Sequence, residues 1–199
     1  NDAKSMLLDT VIEPFSAKKM SNEEIEFIKK KINDIIMKAS CSYPFNLKDI
    51  IRKFNMLKYE SFIEEVYLLY QTRKKEQGLS DFNDLMIDFG KFLDSNEGGE
   101  FIKKIDYVFF DEYQDINPIQ NYILKKFHNK CNIMAVGDDA QAIYSFRGSN
   151  IKYINDFENE FSPSKIYKLE KNYRSSPSIV KFCQDIISHN NSQFKKNVI

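Results

Sequence analysis

The chain has 199 residues, 42% hydrophobic and 29% charged, with 29 basic side chains against 29 acidic. That is apolar material for one large domain or two small ones. A net charge of zero excludes a basic coat, so any nucleic-acid contact must use a local groove and stacking.

From the N-terminus the pattern is helical. Ser21 and Glu24 form a capping-box pair, and Ile25, Ile28, Ile32, Ile35, Ile36 and Ala39 recur at steps of three and four. That is one apolar stripe on a helix of about four turns. "CSYPFN" (41–46) breaks it. Phe62, Ile63, Val66, Tyr67, Leu69 and Tyr70 mark a second helical stretch, which runs out in "TRKKEQG" (72–78). No strand signal precedes residue 100. "LSDFNDLMIDFGKFLD" (79–94) predicts a helix capped by Ser80 or Asp81, with Phe82, Leu85, Met86, Phe89 and Leu93 on one face. "SNEGGE" (95–100) reads as a loop.

The rhythm then changes. "YVFF" (107–110), "NIMAV" (132–136) and "KIYKL" (165–169) are short apolar runs. Each is followed by a helical segment: one capped by Asn117 with Pro118 at its first position, one near 150–160, and one opened by Ser176-Pro177. The last should turn Ile179, Val180, Cys183, Ile186 and Ile187 inward. Strands alternating with helices predict an α/β fold whose parallel sheet is covered on both faces, with chemistry at the C-terminal strand ends.

Each predicted strand leads straight into polar residues. The first gives Asp111-Glu112-Tyr113-Gln114-Asp115, where one acid can hold Mg²⁺ through water and its neighbour can orient or deprotonate an attacking water. The second gives "VGDDAQAIYSFRGS" (136–149), in which Tyr144 and Phe146 beside Arg147 suit base stacking. The third gives "LEKNYRSS" (169–176), where Arg174 can fork onto a phosphate and Tyr173 can stack. Singly, each is also compatible with a solvated strand end or an ordinary loop. Their shared position at one sheet edge favours a site.

In this order and spacing, DEYQD (111–115), VGDDAQAIYSFRG (136–148) and LEKNYRS (169–175) resemble motifs II, III and IV of the UvrD/Rep/PcrA-type superfamily 1 DNA helicases. "DFNDL" (81–85) resembles the family segment that precedes motif II. The resemblance implies a partial RecA-like fold, ATP and Mg²⁺ as cofactors, and single-stranded and duplex DNA as partners. It implies that Asp111 binds Mg²⁺, that Glu112 is the base for the attacking water, and that Gln141 and Arg174 meet the γ-phosphate. Tyr173 would stack on adenine. Tyr144, Phe146 and Arg147, with Phe82 nearby, would meet DNA, and Gln114 and Asp115 would couple the two sites. Family members often carry Trp where this chain has Phe146.

A phosphate-cradling Gly-x-x-x-x-Gly-Lys-Ser/Thr does not occur; only Gly90 precedes a lysine, and Phe92 stands where a hydroxyl is required. With no initiator Met, the chain reads as an internal piece: residues 1–78 a helical 1B-like subdomain, residues 79–199 the C-terminal portion of domain 1A. Its further partner would be the rest of the same polypeptide, with the Walker A region and a second RecA-like domain. Alone it is expected to be inactive; within the parent, an ATP-driven translocase of 3′→5′ polarity. One other reading stays open, a non-catalytic helicase-like binding module. A metal nuclease built on Asp111, Glu112, Asp138 and Asp139 is disfavoured, because the usual layout wants a lysine two after a strand glutamate and Glu170 is followed by Lys171 and then Asn172.

The setting expected is the cytoplasm, with no membrane partner. No run reaches the ~20 apolar residues of a span, and the N-terminus lacks a signal-peptide layout. Cys41, Cys131 and Cys183 are far apart and form no CxxC, which argues against zinc or a disulfide framework.

Overall fold

Isoleucines spaced by three and four build the first helix, α1 (Asn22–Ser40), in which Ile28, Ile32, Ile35, Ile36 and Ala39 are buried. The computed structural model describes residues 12, 22–43, 46–145, 148–190, 193–194 and 196–199, without the side chains of residues 22 and 25. Ser21, the Ile25 side chain and residues 44–45 of the predicted break lie outside the described residues, as do Phe146 and Arg147.

Helices α2 (Leu47–Lys53) and α3 (Glu60–Glu76) complete the first core, contributing Ile50, Ile51, Ile63, Val66 and Tyr70. Asn46 caps α2 by accepting the Lys48 N–H at 3.0 Å. Helix α4 (Phe82–Leu93) starts in a capping box formed by Asp81 and Asp84. Both carboxylates also receive the Lys74 ammonium from the end of α3, at 3.3 Å and 2.7 Å. Lys74 is only 6% exposed, and its ammonium lies 5.3 Å from the Tyr70 ring centroid.

The predicted loop at 95–100 is instead helical, α5 (Asn96–Ile102). Ser95 caps it by accepting the Gly98 N–H at 3.1 Å. Gly98 lies so close to the end of α4 that a Cβ there would stand 2.0 Å from the Phe92 carbonyl oxygen. The glycine that looked like a breaker is a packing requirement.

Strand β1 (Tyr107–Phe110) pairs in parallel with β2 (Asn132–Ala135), in the register Tyr107↔Asn132 to Phe110↔Ala135. Between them runs α6 (Pro118–Phe127), capped by Asn117 as its sequence predicts. Val108, Phe110, Ile133 and Ala135 pack inward against Tyr113, Ile116, Leu124 and Phe161. The other sheet face stays open: Tyr107, Phe109 and Met134 are 63%, 72% and 56% exposed. The segment near 150–160 forms two short helices, α7 (Lys152–Asn155) and α8 (Phe157–Glu160).

Three further expectations are corrected. Among the described residues the sheet has two strands, covered on one face rather than both. "KIYKL" is not a strand: residues 165–169 take no regular secondary structure, and the backbone bonds to Ile199 are made by the following segment, at Glu170 and Asn172. Helix α9 (Pro177–Ile187) forms where predicted, but of its apolar stripe only Val180 is buried; Ile179 and Ile186 are exposed, as is Cys183, and Ile187 is half-buried. No neighbouring layer among the described residues covers that face.

The helical part and the sheet part meet directly. The Cys41 carbonyl accepts the Ile119 N–H at 3.2 Å, and Tyr43 and Tyr122 make an edge-to-face contact at 5.1 Å. Among the described residues no helix is long and apolar enough to cross a membrane.

Candidate functional site

The chain leaves β1 through a left-handed turn at Glu112. Glu112 sits in the left-handed region (φ 51°, ψ 46°), a conformation a non-glycine residue adopts at an energetic cost and one that concentrates at functional sites. The Asp111 carboxylate helps hold it by accepting the Glu112 N–H at 2.9 Å. The turn is anchored below by the Tyr113 N–H, which donates to the Val136 carbonyl at 2.8 Å and so extends the ladder past the strand ends.

This geometry buries Gln114, which is 2% exposed, under the turn. Its Nε2 donates to Glu112 Oε2 at 2.7 Å, and its Oε1 accepts the Asp138 N–H at 2.9 Å. One amide thus links the acidic turn after β1 to the loop after β2. Asp138 in turn caps the short turn Asp139–Gln141, accepting the Ala140 N–H at 3.2 Å and the Gln141 Nε2 at 3.0 Å. Glu112, Gln114, Asp138 and Gln141 therefore form one continuous hydrogen-bonded chain across both strand ends.

Gly137 sits where this chain crosses. A Cβ there would lie 2.8 Å from Gln114 Oε1 and 3.1 Å from the Gln114 and Tyr113 nitrogens. Gly137→Ala is expected to push Gln114 out of its double hydrogen bond and cost about 1–3 kcal/mol of stability. A denaturant melt checks it; an unchanged midpoint would show that the amide is not held there.

Lys196 is the residue that sequence reasoning missed. Its ammonium bonds Asp138 Oδ1 and lies 2.6 Å from Asp139 Oδ1. Asp139 is buried, and its other oxygen accepts the Phe194 N–H at 2.7 Å. Burial alone would raise the Asp138 carboxyl, but hydrogen bonds from Lys196 and Gln141 outweigh it and hold the group below the usual carboxylate range. A lowered carboxyl stabilises the fold above about pH 4, and that contribution is lost as pH falls through the folded value. No local signal marks Lys196, because its partners lie 57 and 58 residues away in sequence.

Of the other candidate residues, Asp115 is half-buried in the short turn Tyr113–Asp115 and donates its N–H to the Glu112 carbonyl at 2.9 Å. Tyr173 and Arg174 stand exposed on a loop ordered by Asn172, whose Oδ1 accepts the N–H groups of Arg174 and Ser175, both at 2.9 Å. The Lys171 ammonium lies 5.0 Å from the Tyr173 ring centroid. Among the described residues, neither the Tyr173 nor the Arg174 side chain joins the Glu112–Gln141 chain. Tyr144 is 36% exposed, and Phe82, at the first position of α4, is 88% exposed. The structure thus brings the first two clusters together and leaves the third beside them.

For Mg²⁺ the donor set is spare. Asp111 is exposed and only its Oδ1 is engaged, and no cluster of three or more acidic, histidine or cysteine side chains occurs among the described residues. One carboxylate fits an ion that takes most of its ligands from water and a nucleotide, the usual habit of Mg²⁺ at phosphate-transfer sites.

A parallel strand pair joined through a helix, with acidic and amide side chains gathered at the C-terminal strand ends, is the pattern of an α/β protein and makes that edge the candidate site. The chain belongs to the UvrD/REP helicase family: the model of the UvrD/REP helicase N-terminal domain matches residues 2–162. It is 34% identical over 135 residues to the ATP-dependent DNA helicase srs2 of Schizosaccharomyces pombe, covering 67% of this chain and 15% of that protein. Identity to the ATP-dependent DNA helicase PcrA of Bacillus subtilis is 34% over 143 residues, 70% of this chain and 19% of that protein. DNA helicase II of Haemophilus influenzae matches at 30% over 194 residues, 89% of this chain and 26% of that protein. The chain thus spans between 15% and 26% of the length of these relatives.

Proposed function

We propose that the chain is the part of an ATP-dependent DNA helicase that activates the hydrolytic water and reports hydrolysis to the DNA. On this reading residues 1–78 are a 1B-like subdomain, and residues 79–199 are the C-terminal portion of a RecA-like domain 1A. The polypeptide around them supplies the Walker A cradle and the second RecA-like domain. The observation that carries the reading is the hydrogen-bonded chain from Glu112 through Gln114 and Asp138 to Gln141.

Glu112 acts as the general base. The Gln114 amide fixes one of its oxygens, leaving the other to take a proton from water. Asp111 would hold Mg²⁺ by way of water. Mg²⁺, when bound with the nucleotide, neutralises charge building on the β- and γ-phosphates. Gln141 and Arg174 meet the γ-phosphate, and Tyr173 stacks on the adenine. Tyr144, Phe146, Arg147 and Phe82 contact single-stranded DNA. Gln114 and Asp115 couple the two sites, since Gln114 touches the base at one end and the Gln141 loop at the other. Loss of the γ-phosphate thereby moves Gln141 and the DNA-gripping residues that follow it in the same loop. Translocation is expected to run 3′→5′.

The test is ATP hydrolysis with and without single-stranded DNA, on this chain and on the full-length protein. DNA-stimulated hydrolysis is expected from the second and none from the first. A full-length protein that binds DNA without hydrolysing ATP would instead make it a non-catalytic binding module.

A further inference from the structure

The C-terminal segment is a strap that bonds to two clusters, one at Asp138–Asp139 and one at Glu170–Asn172. At one end Lys196 bonds both Asp138 and Asp139, and Phe194 donates its N–H to Asp139. The Asp139 side chain is 1% exposed, so a buried carboxylate takes both its distant hydrogen bonds from this one segment. At the other end the Asn197 N–H donates to Glu170 Oε1 at 2.8 Å, the Ile199 N–H to the Glu170 carbonyl at 2.7 Å, and the Asn172 N–H to the Ile199 carbonyl at 2.7 Å. The Val198 carbonyl accepts from Gln184 on α9 at 2.7 Å. Asn172 is the residue that orders the backbone of Arg174.

We infer that Lys196 is a positioning residue: its double contact with Asp138 and Asp139 fixes the strap, and the strap sets the spacing between the Gln141 loop and the Tyr173–Arg174 loop. This rests on the reading above, in which both loops meet the nucleotide. The chemistry favours a held contact over a chance one. The Lys196 side chain is 22% exposed, and its ammonium faces two carboxylates at once, one of them buried. A buried charge left without its partner is costly, so detaching the strap carries a penalty at Asp139. Burial would lower the Lys196 ammonium, but the two aspartates more than offset that and hold its pKa above the usual lysine value. Asp138 also receives Gln141, so the pull of Lys196 on this carboxylate bears directly on where the glutamine amide sits.

Lys196→Met keeps the length of the stem and removes the charge; Lys196→Arg keeps the charge. In the full-length protein, Lys196→Met is expected to lower kcat of DNA-stimulated hydrolysis by about tenfold to a hundredfold while leaving KM for ATP near its original value. Hydrogen exchange at the amides of 138–142 and 172–175 should rise together, and Lys196→Arg should restore both readouts. Asp138→Asn, which leaves the buried Asp139 paired, is the milder variant and should show the same joint rise in exchange. Unchanged exchange in both Lys196→Met and Asp138→Asn overturns the inference, as does an arginine variant as impaired as the methionine one. If the unmodified protein shows no DNA-stimulated hydrolysis, the helicase reading fails, and the exchange data alone decide the role of Lys196.

Discussion

Replacing Glu112 by glutamine is expected to leave ATP binding by the full-length protein near its original level while cutting turnover by orders of magnitude. The geometry makes this a clean substitution. Gln114 donates its Nε2–H to one Glu112 oxygen, and a glutamine at 112 still offers a carbonyl oxygen to accept it. The left-handed backbone is unaltered, and the Asp111 carboxylate still accepts the N–H of residue 112. What disappears is the basic oxygen. The check is a pair of measurements, nucleotide affinity and single-turnover hydrolysis. Near-normal turnover would remove Glu112 as the base, and a parallel loss of affinity would mean that the turn itself had collapsed.

The second large effect is structural and lies away from the strand ends. Lys74→Met is expected to destabilise the fold by about 3–5 kcal/mol, because it removes the single cation between two carboxylates in a largely covered position. Lys74 comes from the end of α3, while Asp81 and Asp84 form the capping box of α4, so one ammonium joins the helical part to the helix leading into the sheet part. Burial by itself would raise the Asp81 carboxyl; the N–H groups of Asp84 and Asn83 and the Lys74 charge outweigh it and hold the group below its usual range. Since the folded value is the lower one, this stabilisation is present above about pH 4 and is lost as pH falls through the folded value. Denaturant melts at pH 7 and at acid pH should therefore show the gap between the parent and Lys74→Met narrowing on acidification. A gap independent of pH, or absent at pH 7, would show that the pair is merely a surface contact.

What could be read from the residues follows the range of the forces involved. Tyr107–Phe110 was legible as a strand and Asn117-Pro118 as a helix start, because pattern and capping are local. So were the acids and amides after β1 and β2, which need only their strand to place them. The link between those clusters was not legible, since Gln114 reaches Asp138 across 24 positions and depends on the register of two strands. Lys196 was further out of reach, its role set wholly by distant partners. The failure at "KIYKL" has the same origin in reverse: its composition suits a strand, but pairing is decided by a neighbour and not by the segment itself. Gly98 misled for a third reason. A glycine signals a turn and a tight approach with equal force, and only the adjacent Phe92 carbonyl distinguishes them.

The open face of the sheet has a practical consequence for anyone handling the chain by itself. Tyr107 and Phe109 stack with their ring centroids 6.2 Å apart beside Met134 on one surface, and Ile179, Phe182 and Ile186 line another on α9. Two oily surfaces on a molecule of zero net charge give colloids little reason to stay apart. Such a preparation is expected to self-associate as its concentration rises, and acidic substitutions at the exposed Tyr107 and Phe109 are expected to counter this without touching the strand ends.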